Sequence, residues 1–145
     1  MPRLAILLGY AGVLPFLFFM GHMYYVYGHP AYVQTAVIFQ LAYAGMIASF
    51  LGGIHWAQAM RTSHRGQLIF SVIPALFSIV MLGLALYGKL WFTSLFLMAI
   101  MYYVVLIADK KWIFADEFPP AYMRFRRNLT AIVSFLLIFS ALMAL

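Results

Sequence analysis

Apolar positions run through this chain in long blocks, and its few polar residues fall between them. Five blocks reach the roughly 20 apolar residues that a membrane-spanning helix needs: about residues 4–26, 32–60, 67–87, 90–109 and 122–145. The pattern predicts an all-α integral membrane bundle of five transmembrane helices, a single domain over residues 1–145 without an internal repeat. The connections are short. Gly28-His29-Pro30 turns the first hairpin, residues 61–66 the second and Gly88-Lys89 the third, while residues 110–120 hold most of the loop polarity. The second block exceeds what a bilayer needs, so it is expected to tilt or to project beyond the inner boundary. The first follows Arg3 as a signal peptide would, but Gly21-His22-Met23-Tyr24-Tyr25 offers no small-residue cleavage site and the block is expected to remain a span.

A finer periodicity lies inside the second block. Gly45, Ala48, Gly52, His55 and Ala59 recur at spacings of three and four, which places them on one helix face. Small residues let a neighbouring backbone come close, and close packing holds helices together in lipid. The stripe therefore marks the buried side of a central helix, with His55 on it. Pro15 and Pro74 fall inside the first and third spans. Each removes a backbone hydrogen bond and is expected to kink its helix, either for packing alone or to open a ligand cavity. Pro119-Pro120 suits the first turn of the last helix, with Asp116 and Glu117 near its positive end.

Composition agrees with this class. Of 145 residues 67% are hydrophobic and 8% charged, with a mean hydropathy of +1.00; soluble domains are nearer half apolar and a quarter charged. The absence of cysteine excludes disulfides, thiolate metal sites and cysteine nucleophiles. The net charge of +6 acquires a direction once the spans are drawn. Arg3, Arg61, Arg65, Lys110, Lys111, Arg124, Arg126 and Arg127 share one side, and Lys89 alone lies opposite. The positive-inside rule then puts the N-terminus in the cytoplasm and the C-terminus in the periplasm or outside. The expected location is a bacterial inner (cytoplasmic) membrane or an equivalent organellar membrane, and the expected contact of the basic side is with anionic headgroups, not nucleic acid. Tyr24, Tyr25, Tyr27, Tyr32, Tyr87 and Trp91 mark the outer edge; Trp56, Trp112 and Tyr122 mark the inner one.

Few groups remain for chemistry. The three acids are Asp109, Asp116 and Glu117. Asp109 closes the fourth span, Arg127 opens the fifth, and His55 lies about 9 Å above Arg61 at a rise of ~1.5 Å per residue. These groups can share one layer near the inner boundary, and an ionisable residue there should face the interior and find a partner. The expected cluster is His55, Asp109 and Arg127, lined by Trp56 and Tyr122. It is either an ion pair stitching two helices or a site for a small anion, a headgroup or a relayed proton. No cofactor is predicted; haem or chlorophyll ligation by His22 or His55 is the alternative. His29 sits beside a proline in a hairpin, and His64 is loop-borne. No nucleophile, zinc or phosphate-loop motif is present, which argues against an enzyme.

Three motifs carry a resemblance: Leu8-Gly9-Tyr10-Ala11-Gly12-Val13-Leu14-Pro15, Ser49-Phe50-Leu51-Gly52-Gly53-Ile54-His55-Trp56, and Pro119-Pro120-Ala121-Tyr122 with Arg127-Asn128-Leu129-Thr130. In this order they resemble the domain-of-unknown-function family numbered 3429, small proteins of bacterial inner membranes with a mitochondrial relative, transmembrane protein sixty-nine. The likeness spans almost the whole chain, and its specific part is the central glycine–histidine–tryptophan block. Ala121 stands where family members often carry tryptophan. The resemblance implies a small multi-helix membrane protein, points to His55, Trp56, Asp109 and Arg127, and transfers no activity. The expected role is a non-enzymatic accessory or assembly subunit of a larger membrane complex, with other membrane subunits or further copies of itself as partners. The alternative is a protein that handles a small molecule, lipid, proton or ion through the His55/Asp109/Arg127 cluster.

Overall fold

The protein is described by a computed structural model that covers residues 1–113 and 119–145. Among these residues all regular structure is helical: α1 (Arg3–Ala11), α2 (Leu14–Tyr25), α3 (Pro30–Thr62), α4 (Arg65–Tyr87), α5 (Trp91–Ala108), a π-helical turn (Asp109–Ile113) and α6 (Pro120–Met143). Together they make five stretches long and apolar enough to cross a membrane. Asp116 and Glu117, expected near the start of the last helix, lie outside the described residues.

The bundle is arranged for a lipid solvent. Large apolar side chains such as Leu4, Phe39, Phe50, Leu76 and Ile79 face outward and are more than half exposed. The interior sets small and polar residues, among them Ala44, Ala48, Ser94, Ser134 and Ser140, beside larger apolar ones such as Phe16, Leu95 and Met98. Lipid tails are as apolar as leucine, so helices associate in them through close packing and hydrogen bonds. The seam between α3 and α4 shows both. A Cβ on Gly45 would come within 2.9 Å of the Ser78 Cβ, and one on Gly52 would run into the Ser71 carbonyl. Gly45, Ala48, Gly52, His55 and Ala59 are all buried, whereas Gly53 faces open space.

Hydrogen bonds tie the remaining helices to α3. The Tyr102 hydroxyl of α5 donates to the Ala44 carbonyl at 2.8 Å, and Gln40 Nε2 donates to Ser140 Oγ of α6 at 3.0 Å. The first span differs from a single rod: it is interrupted at Gly12 and Val13, and Pro15 is the second residue of α2. A prolyl ring cannot donate into the ladder, and at this interruption the Tyr43 hydroxyl of α3 donates to the Gly12 carbonyl at 2.9 Å. Around Pro74, by contrast, α4 stays continuous, and Ser78 Oγ donates to the Pro74 carbonyl at 2.6 Å.

The two chain ends lie at opposite ends of the bundle. Tyr10 of α1 packs edge-on against Phe125 in the second turn of α6, ring centroids 5.3 Å apart. Met143 and Leu145 instead share a depression with Tyr27, Pro30 and Trp91 at the other end. The end holding the start of α6 also holds the α3–α4 turn, where Ser63 adopts a left-handed φ of 56° and His64 Nδ1 accepts the Gln67 amide at 3.1 Å.

Candidate functional site

Asp109 begins the π turn that extends α5, and its side chain is buried. Turns of this kind, wider than the α-helix, recur at functional positions. Two helices converge on its carboxylate. His55 Nε2 of α3 lies 2.8 Å from Oδ1. Arg126 of α6 donates Nε and Nη2 to Oδ2 at 3.0 and 2.6 Å. A carboxylate in such surroundings is tolerable only when paired and fully hydrogen-bonded, and the guanidinium supplies both the opposite charge and a two-pronged donor.

The network continues into α4. Gln67 Nε2 lies 3.2 Å from His55 Nδ1 and donates to Gln58 Oε1 at 2.7 Å. Gln58 Nε2 in turn donates to the Trp112 carbonyl at 3.1 Å. That backbone acceptor sets the direction of the whole chain. With the Gln58 nitrogen held on a carbonyl, its oxygen must face Gln67, which therefore presents its own amide nitrogen to both Gln58 and His55. His55 Nδ1 accepts, and Nε2–H donates to Asp109. Four of the five spans are tied together at one level.

Aromatic rings close the layer. Trp112 packs steeply against His55, centroids 6.0 Å apart, and also touches Phe70 and His64 at 5.5 and 5.8 Å. Phe70 meets His55 edge-on at 5.4 Å. His55 is fully shielded, so its polar contacts act in a low-dielectric setting where each is strong and an unmade one is costly.

Several expected members stand elsewhere. Arg126, not Arg127, pairs with Asp109; Arg127 is exposed. The reason is helical phase: Arg126 shares the buried face of α6 with Thr130, Val133 and Leu137, among others, and Arg127, the next residue along, is turned by about 100° toward the outside. Trp56 is 48% exposed, one step round the helix from His55, and Trp112 occupies the place expected for it. Tyr122 is half-buried and close enough to Arg126 and Asp109 to feel both charges. Gln58 and Gln67 were not anticipated. Their signal was present, since Gln58 follows His55 by three and Gln67 precedes Ser71, Pro74 and Ser78 on one buried stripe.

Both ring nitrogens of His55 are engaged, so ligating a haem or chlorophyll there would break one of these bonds. His22 is exposed on α2 and stacks on Phe18 at 6.4 Å. Among the described residues no three His, Cys, Asp or Glu side chains gather closely enough to hold a metal ion.

Neither the curated proteins nor the solved structures contain a match to this chain. A family model does match, over residues 1–142, and its description is a protein of unknown function (DUF3429). With its motifs, its five apolar spans and this match over nearly its full length, the chain belongs to the DUF3429 family.

Proposed function

We propose that this protein is a non-enzymatic component of a membrane assembly, an accessory or assembly subunit, and that the Asp109 network is the clamp that keeps its bundle in one shape. One observation carries this reading: both Asp109 oxygens are engaged by side chains from two different helices. A carboxylate tied to two helices, and an imidazole with both ring nitrogens engaged, are suited to rigidity. A reacting imidazole would need a ring nitrogen left for substrate. The wide apolar exterior of α3, α4 and α6 then serves as surface for lipid and for neighbouring membrane subunits. The basic end faces the cytoplasm or the equivalent organellar compartment, because it carries eight of the nine Lys and Arg residues. Its setting is a bacterial inner membrane or an organellar counterpart.

Isolation from native membranes in mild detergent tests the role. Stoichiometric recovery with a larger membrane complex is the expected result; recovery as a free monomer alone overturns it. Cysteine introduced separately near Arg3 and at Leu145, probed with an impermeant reagent, checks the orientation. Labelling of Leu145→Cys from the outer side and protection of the N-terminal site are expected.

A further inference from the structure

α1 lies against the rest of the bundle loosely, and a cleft of about 430 Å³ opens between it, α3 and α6. Ligand pockets commonly fall between about 300 and 1,000 Å³. Most of the wall is apolar, including Leu8, Phe50, Ile54, Leu129 and Val133. The cleft follows α6 from Tyr122 to Val133, about 16 Å at a rise of ~1.5 Å per residue. It therefore runs from the basic boundary toward mid-membrane and is long in the direction of a lipid chain.

Its polar side chains can each donate a hydrogen bond. Arg126 borders it, and Nη1 takes no part in the Asp109 pair, which uses Nε and Nη2. Tyr122 lines the same end. Tyr102 also reaches the wall, but its hydroxyl is committed to the Ala44 carbonyl. Thr130 also lines the cleft and, like Gln40 at Oε1 and Ser94 at Oγ elsewhere in the bundle, it leaves a buried polar atom unsatisfied among the described residues. It is 1% exposed, and among the described residues its Oγ1 has no hydrogen-bond partner. A buried hydroxyl without a partner is unfavourable, and an acceptor arriving in the cleft would remove that penalty. A guanidinium with a hydroxyl beside it selects an oxygen acceptor, and the apolar wall beyond selects a hydrocarbon tail.

We propose that the α1–α3–α6 cleft is an acyl-chain site, which holds a long-chain acyl group with its carbonyl or carboxylate oxygen on Thr130 Oγ1 beside Arg126. The acyl group can belong to a phospholipid or to a free fatty acid; the chemistry read by the cleft is the same. This does not depend on whether the protein works alone or within a complex.

Photo-crosslinking of the full-length protein in mild detergent tests the site, with a diazirine-bearing palmitate and a diazirine-bearing phosphatidylglycerol as separate probes. Saturable labelling near one adduct per chain, on peptides containing Leu8 or Leu129, is expected, and the probe that saturates identifies the source. Ala5→Trp, at an exposed position of α1 on the cleft wall, should cut labelling at least tenfold; Leu8→Trp is the second filling variant should the first not fold. Thr130→Val should reduce labelling several-fold while the melting temperature holds or rises. Labelling spread over the outward faces of α3 and α4, labelling unchanged by both tryptophan variants, no labelling by either probe, or full labelling of Thr130→Val would each overturn the proposal.

Discussion

α3 buries thirteen residues, from Val33 to Ala59, whereas α1 buries none and α2 only Phe16 and Met23. The same lipid surrounds both, and both are strongly apolar, so hydrophobicity does not account for the difference. What α3 has is glycine where α4 must come close, and polar side chains that reach other helices. The first span has one cross-helix hydrogen bond among those described above, from Tyr43 to the Gly12 carbonyl. In a membrane, a helix is integrated by contour and hydrogen bonding, and an oily span lacking both stays near the edge.

The sharpest way to break this contrast is at Asp109. Asp109→Ala leaves the Arg126 guanidinium buried without its partner and His55 without its acceptor, an uncompensated burial that typically costs about 3–5 kcal/mol. A large fall in the thermal midpoint in detergent is expected. Neighbouring arginines refine the test: Arg126→Leu should lose much of the same stability, and Arg127→Leu should change it by under about 0.5 kcal/mol. Equal effects would mean that the clamp is not built on Arg126.

The glycine seam comes next. Gly52→Ala drives a methyl group into the Ser71 carbonyl, and overpacking of this kind costs about 1–3 kcal/mol. Gly53→Ala meets open space and should be neutral or slightly stabilising, because alanine is the better helix former by about 1 kcal/mol. Denaturant titration of the two variants side by side reads the difference; a sensitive Gly53 and a tolerant Gly52 would reverse the assignment of faces.

Smaller effects belong to the first span. Tyr43→Phe removes the bond to Gly12, worth about 0.6 kcal/mol on average for interhelical bonds in membranes. It should show as faster amide exchange in α1 and α2 with little change elsewhere. Leu8→Ala, at a position 62% exposed, should leave stability within about 0.5 kcal/mol of the parent. A cost of several kcal/mol there would show that the first span is packed as tightly as the others.

Much of the architecture was legible in the residues. Five apolar blocks, their short polar breaks and the small-residue stripe through Gly45, Gly52 and His55 follow from local hydropathy and helical period, which need no knowledge of neighbours. His55 and Asp109 stood out because ionisable groups are rare in such segments. Their partner was harder to choose. Arg126 and Arg127 are adjacent and chemically identical, and only the phase of α6 against α5 decides which one turns inward, although Thr130 four residues on hinted at it.

Sequence alone determined the membrane class, the number of spans and the segregation of positive charge, since each depends on residues summed along one stretch of chain. The tertiary structure decided what lies across from what. It placed Trp112 and not Trp56 against the imidazole, brought Gln58 and Gln67 into the carboxylate layer, interrupted the first span before Pro15, and left a cleft beside Thr130. Those choices arise from packing one helix against another, and the spacing of letters along a single helix holds no record of its neighbours' positions.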